Sequence, residues 1–370
     1  VFEPEFTPDG SNAEVAAAAG YDIRAIVERK DRAMATEALS KGMETLVLQL
    51  YGEGRFDGIL SFGGSGGTSM VTPAMRALPI GVPKLMVSTM ASGNVEQYVG
   101  TSDIVMMPSI VDVAGLNSIS KVIFRNAVLA VCGMVRLKEE LKPEIGDHKP
   151  LVAATMFGVT TPCVGFAKEC LETHGYEVLV FHATGTGGRT MEALTDAGFF
   201  KGVLGLTTTE WCDEVVGGVL AAGQTRCEAA ARCGIPQVVS VGAMDMVNFG
   251  PFDTVPQKFA GRNLYKHNPT VTLMRTTAEE NREVGEKLAE KLKLAFGKTA
   301  LLLPLKGVSA IDAEGQPFYG PKEDQVLFQT LRDGVNRDAV EIMELDYNIN
   351  DKEFAVCAAE KLMELMEREA

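Results

Sequence analysis

The sequence predicts an α/β fold with mostly parallel sheets, arranged in two domains. Three observations carry this. Short apolar runs alternate with helical stretches bounded by glycine. The runs are continuous rather than alternating, as in strands buried on both faces beneath helices. The 370 residues exceed one ordinary domain, at roughly 100–200 residues each. The best break is 142–150 (KPEIGDHKP), where prolines, a glycine and charges separate two apolar elements. The expected domains are therefore 1–145 and 150–370.

In chain order, the strand candidates are 58–62 (GILSF), 84–88 (KLMVS), 103–106 (DIVM), 151–156 (LVAATM), 177–181 (EVLVF) and 202–206 (GVLGL). Four more follow at 237–241 (QVVSV), 271–274 (VTLM), 299–303 (TALLL) and 340–345 (VEIMEL). Helical period fills the intervals. Residues 279–296 place Val284, Leu288, Leu292 and Ala295 on one face, and Thr277 with Glu280 forms a capping box before them. Phe354, Ala358, Leu362, Leu365 and Met366 form the stripe of a last helix, which is expected to face a core rather than a partner.

Asp and Glu outnumber Lys and Arg by 49 to 35, a net charge of −14. That balance argues against nucleic acid as a partner, which needs clustered basic charge. The seven cysteines include no C-x-x-C pair and fit free thiols in a reducing compartment. No uninterrupted apolar run reaches the ~18 residues of a membrane span, and no signal peptide opens the chain. A cytoplasmic protein without a membrane partner is the expectation. The first residue is Val1, and 1–6 (VFEPEF) is broken by Pro4. The native N-terminus is expected to lie before it.

Two loops could carry chemistry. Gly63, Gly64, Ser65, Gly66, Gly67, Thr68 and Ser69 follow a buried strand and open a helix. Glycines let the backbone approach a ligand and take positive φ, and the helix N-terminus offers free N–H groups to an anion. The spacing is neither a Walker A loop nor a strict G-x-G-x-x-G. A tight turn that binds nothing is the competing reading. The second loop, Gly185, Thr186, Gly187, Gly188 and Arg189, repeats the pattern of strand, glycine loop, helix and strand with a hydroxyl-rich end. It adds an arginine suited to bidentate anion contact.

Polar residues also gather where other strands end, the usual ligand edge of an open α/β sheet. They are Thr89, Ser92, Gly93 and Asn94, then Thr207, Thr208 and Glu210, then Asp245. Glu210 and Asp245 could hold Mg²⁺, act as a general base or orient a ribose. Helix caps and salt bridges are the alternative for each. His182, at the mouth of the second loop, is the best placed of the four histidines, and no histidine pair has the spacing of a zinc site. Cys163 stands at a helix start, where a thiolate would be favoured. No dedicated metal site is expected.

The segments 59–70 (ILSFGGSGGTSM), 181–194 (FHATGTGGRTMEAL), 207–213 with Gly217 and Gly218, 234–250 (GIPQVVSVGAMDMVNFG), 266–277 (KHNPTVTLMRTT) and 307–319 (GVSAIDAEGQPFY) together resemble the Tm-1-like ATP-binding family. The match runs in order over nearly the whole chain. The resemblance implies two Rossmann-like domains, an ATP-binding inter-domain cleft and a homodimer. Family members commonly begin with a strand and a Thr-Asp-Thr-Lys-Gly-like loop, which this chain does not show.

The expected ligand is ATP, with or without Mg²⁺, its phosphates cradled by residues 63–69, with Arg189 and its loop closing on the cleft. Glu210, Asp245 and His182 are the candidate catalytic groups. An ATP-dependent transferase or ligase acting on a small acid, a nucleotide-gated regulator, and an enzyme whose glycine loops hold a small carboxylate or sugar acid all remain open.

Overall fold

The computed structural model describes residues 6–140, 149–296 and 298–367. The chain divides into two compact units, Val1–Gly146 and Asp147–Ala370. The opening segment 1–5, His148 and most of 142–150 lie outside the described residues.

Unit 1 begins with three helices, α1 (Asn12–Ala18), α2 (Ile23–Arg29) and α3 (Arg32–Gly52). Each starts at a side chain that accepts from the first turn: Ser11, Asp22 and Asp31. Then follow β1 (Ile59–Gly63), α4 (Ser65–Ala77), β2 (Lys84–Ser88), α5 (Glu96–Val99), β3 (Val105–Pro108) and α6 (Ser118–Glu140). The three strands are parallel in the order β1-β2-β3. Strand alternation sends Met86 and Ile59 towards Met75 and Val71 of α4. It sends Leu85, Val87, Leu60 and Phe62 towards Ala127 and Phe124 of α6. The sheet is thus covered on both faces. The Lys84 ammonium is buried and donates to Pro79 O, Val82 O and Asp103, tying the start of β2 to the approach to β3.

Unit 2 contains β4 (Leu151–Met156), α7 (Thr161–Thr173), β5 (Glu177–His182), α8 (Thr186–Asp196), β6 (Gly202–Thr207), α9 (Glu210–Val216) and α10 (Ala229–Cys233). It continues with β7 (Gln237–Gly242), β8 (Met246–Phe249), β9 (Leu264–Asn268), β10 (Val271–Arg275) and α11 (Ala278–Leu292). It ends with β11 (Thr299–Pro304), α12 (Pro321–Gly334), β12 (Val340–Leu345) and α13 (Lys352–Glu367). Six strands form an all-parallel sheet in the order β12-β11-β7-β6-β4-β5. The winding direction therefore reverses between β4 and β6, the doubly wound arrangement. α7 and α13 pack on one face around Leu204, Val238 and Leu302. α11 and α12 pack on the other around Val239, Leu301 and Leu303.

All ten expected strands occur, with ends moved by one or two residues. One of them, β10, departs from the expected parallel arrangement. It is the centre of a small antiparallel sheet, β8-β10-β9, whose other two strands the apolar pattern did not reveal. The α13 stripe is core: Phe354, Ala358, Leu362 and Leu365 are buried.

Candidate functional site

The two glycine loops share a sequence pattern and differ in what fills them. At the first, α4 starts directly at Ser65, and its N-cap Gly64 makes no side-chain cap. Gly63, Gly64, Gly66 and Gly67 all keep ordinary backbone angles, so positive φ is not why glycine stands here. Room is the reason. A Cβ on Gly63 would sit 3.1 Å from the Gly67 Cα, so the strand-to-helix turn closes tightly. A Cβ on Gly66 would meet the Arg32 guanidinium at 3.5 Å. Ser65 and Ser69 are exposed. Thr68 is not available to a ligand, because it is buried with its hydroxyl on Gly64 O and Ser88 Oγ.

An open groove of about 1030 Å³ lies between α3 and this helix start, lined by Ser65, Gly66 and Ser69 on one side and Arg32, Lys41 and Glu37 on the other. Arg76 stands further along it, donating to Tyr98 O. Thr89, exposed at the end of β2, has its hydroxyl 3.8 Å from where a Gly64 Cβ would lie. The Asp112 carboxylate, from the loop after β3, is at 4.0 Å from the same point. Ser92, Gly93 and Asn94 are exposed in the next loop, where the Asn94 side chain accepts from Glu96 N. The ends of three adjacent strands and α3 thus gather a helix N-terminus, hydroxyls, the cations Arg32 and Lys41, and the carboxylates Asp112, Glu37 and Glu44. That set can hold an oxyanion through N–H groups and a fixed cation.

The second loop is occupied by the chain itself. Glu210 is buried, and its Oε1 accepts from Gly185 N at 3.0 Å and Gly188 N at 3.2 Å. Its Oε2 accepts from Arg226 Nε at 2.6 Å. Arg226, also buried, is bonded in turn to Glu192. Burial alone would lower the Arg226 pKa, but Cys227, Glu210 and Glu192 outweigh it and hold the guanidinium charged. A carboxylate therefore stands where an anion would bind at the α8 N-terminus. Gly185 does take a positive φ, +79°, and a Cβ there would meet Ala221 O at 2.6 Å. A Cβ on Gly187 would clash with His182 O. Thr186 is exposed. Arg189 donates to Ala221 O and Thr186 Oγ1, so it braces its own loop.

The remaining candidates fall in unit 2. His182 is exposed, its ring 5.4 Å from that of Phe157. Thr207 and Thr208 are buried and bonded, to Thr160 Oγ1 and Ser240 O. They fill the place where the sheet's winding reverses. Asp245 is fully buried after β7, with Oδ2 accepting from Ser309 Oγ and Oδ1 without a partner. Burial, then the nearby Asp312, pushes its pKa up to about 7. Arg275 donates to Asp312 and Asp324, so three carboxylates crowd one guanidinium. Among the described residues no group of His, Cys, Asp and Glu is placed to hold a metal ion. Cys163 departs from expectation: its burial pushes the thiol pKa up, which outweighs the helix start.

Sequence reasoning missed Arg32 and Asp112. Arg32 belongs to a helix that precedes the first strand and bears no motif. Asp112 follows a strand end and was reachable by the rule that found Thr89, had β3 been placed two residues later.

The comparisons accord with the resemblance. Residues 2–140 match the model of the "Uncharacterised protein family (UPF0261) N-terminal domain", and residues 149–366 match that of the C-terminal domain. A UPF0261 protein of Clostridium tetani is 57% identical over 368 residues, covering 100% of this chain and 90% of its own. A UPF0261 protein of Rhizobium meliloti is 48% identical over 96% of this chain and 87% of its own. The ToMV resistance protein Tm-1(GCR237) of Solanum lycopersicum is 48% identical over 90% of this chain, which spans only 45% of that longer protein. On the strength of both domain models and these relatives, the chain belongs to the UPF0261 family.

Proposed function

We propose that unit 1 binds the phosphates of a nucleotide, ATP foremost, at the N-terminus of α4. One observation carries the reading. Of two glycine loops alike in sequence, the second is closed by the Glu210 carboxylate. The first has no side-chain cap and opens on a groove with Arg32 beside Gly66. The phosphate oxygens would take the α4 N–H groups and the Ser65 and Ser69 hydroxyls, with Arg32 as counter-charge. The Asp112 carboxylate, 4.0 Å from where a Gly64 Cβ would lie, could take an accompanying Mg²⁺ or a ribose hydroxyl.

A binding or regulatory protein fits better than a transferase or ligase. The carboxylates with raised pKa, Asp213, Asp245, Asp312 and Asp324, are buried inside unit 2, and none lines the groove. A largely apolar helix face is also left uncovered, as a protein that signals through a partner requires.

Calorimetric titration with ATP, AMP and inorganic phosphate tests the reading. In Gly66→Val the side chain would fill the groove beside Arg32. ATP affinity should fall by about 2 kcal/mol or more, from lost charge-assisted hydrogen bonds, with the fold intact. Arg189→Lys should leave ATP affinity unchanged. Unaltered ATP affinity in folded Gly66→Val would return the loop to a structural turn.

A further inference from the structure

Between Pro304, the end of β11, and Pro321, the start of α12, residues 305–320 form one loop without helix or strand. Loops longer than about 12–15 residues with no structure of their own are commonly lids or binding loops. One carboxylate ties both ends of this one. Asp312 accepts from Val308 N at 2.9 Å and from Gly320 N at 3.2 Å. The Arg275 guanidinium, reaching from β10, donates to Phe318 O at 2.8 Å, Gly320 O at 3.1 Å, Asp312 at 3.4 Å and Asp324 of α12 at 2.7 Å. Neither end has room for a side chain. A Cβ on Gly320 would run into the Arg275 guanidinium, and one on Gly307, at φ +118°, would run into Asp312 O. Ser309 adds a bond to Asp245 Oδ2 at 2.8 Å. The loop covers the turn after β4: Ala310 N donates to Val159 O, and Phe318 packs with Phe157, Val159 and Ala243. The winding reverses between β4 and β6, and open α/β sheets take ligands at such a place.

Asp245, Asp312 and Asp324, all buried, thus surround one guanidinium. Fully ionised, they would set three negative charges against one positive charge away from water, which is costly. Two features show where protons relieve this. Asp245 Oδ1 is buried with no partner, which suits a neutral acid and not a carboxylate. Asp312 and Asp324 hydrogen-bond to each other, which two carboxyl groups do only with a proton between them. The surrounding groups are otherwise committed. Arg262 pairs with Glu280, and Asp213 on α9 takes a bond from Asn248. Glu323 stands beside Gly320 and adds another acid. Burial pushes the Cys212 thiol well above its ordinary range, and Lys306, exposed at the loop's start, pairs with Asp346. We infer that 305–320 is a proton-controlled strap. It stays shut over the β4 turn while protons remain on these carboxylates, and it opens when all three ionise. Their repulsion acts on Asp312, the group that holds both ends, so the loop gives way before the strands beneath it. Opening uncovers Phe157, Val159 and Phe318 at the ligand edge of the unit 2 sheet. The strap is independent of the groove in unit 1.

Hydrogen exchange of the whole chain, read by mass spectrometry and corrected for the intrinsic pH dependence of exchange, decides. From pH 5.5 to pH 8.5 protection across 308–320 should fall about 10-fold or more, while β6, β7 and β11 keep theirs. Binding of the dye ANS should rise over the same range, as the apolar residues under the strap are uncovered. Asp324→Asn keeps a neutral group against Asp312 and should move the release to higher pH. Asp245→Asn leaves Ser309 an oxygen to donate to and should do the same. Protection of 308–320 that is equal at the two pH values in wild type would overturn the inference, whether or not either variant folds. So would a loss spread evenly over loop and strands, which would mean that all of unit 2 opens, or release at the wild-type pH in both folded variants.

Discussion

Glu210 and Gly188 show how one side chain decides what a loop can do. A Cβ on Gly188 would lie within van der Waals range of both Glu210 oxygens, the nearer at 2.3 Å from it. Glycine there makes room for the carboxylate, and the carboxylate takes the place of a ligand. Removing it leaves Arg226 buried with Glu192 as its remaining ion-pair partner. Loss of one partner from a buried pair costs about 3–5 kcal/mol. Glu210→Ala should therefore lower the thermal midpoint of unit 2 markedly and leave ATP binding in unit 1 unchanged. Gly188→Ala should act in the same direction through displacement of the same carboxylate. Gly66→Ala, whose Cβ has 3.5 Å to the Arg32 guanidinium, should be tolerated. Equal responses to Gly188→Ala and Gly66→Ala would contradict the difference seen between the two loops.

At the scale of elements, what could be read depended on burial pattern. The parallel strands were legible because both faces are covered, so β6, β7 and β11 are apolar or small at nearly every position. β9 was not, because Lys266, His267 and Asn268 are exposed on an outer strand of the small sheet. β8 was not, because four residues directly after the β7 turn give too short a period. The capping box at α11 was legible and is present: Thr277 Oγ1 accepts from Glu280 N, and Glu280 accepts from Thr277 N. Glu280 also pairs with Arg262. Thr277→Ala should cost about 1 kcal/mol, measured as a shift in the unit 2 midpoint. A neutral outcome would mean that Arg262 alone positions the helix start. The candidate site was half legible. The first loop could be read from its glycines. Its arginine comes from α3 and could be found only through packing. The occupant of the second loop lay 22 residues further along the chain, and no local pattern links Glu210 to Gly188.

For the whole molecule, the strongest expectation concerns pH, and it rests on carboxylates that unit 2 buries. Burial, against hydrogen bonds from Asn248, holds Asp213 up to about 7. Burial and the neighbouring Asp312 hold Asp245 up to about 7 and Asp324 up to about 8. In the unfolded chain each returns to about 3.9. Between about pH 4 and pH 8 the folded state therefore binds protons that the unfolded state has released, and stability falls as pH rises through that window. Glu344 runs the other way. Its hydrogen bond from Arg332 holds it below the ordinary range, so its contribution is complete above that range and fades only in acid. The single tryptophan, Trp211, is buried in unit 2, so its fluorescence reports on this unit alone. Its thermal midpoint should fall steadily from pH 5.5 to pH 8.5. Asp324→Asn leaves two carboxylates around Arg275 in place of three, which lets the others release their protons at lower pH, and the slope above pH 6.5 should flatten. A midpoint that rises with pH over this range would mean that these carboxylates are already ionised in the folded state, and would overturn the expectation.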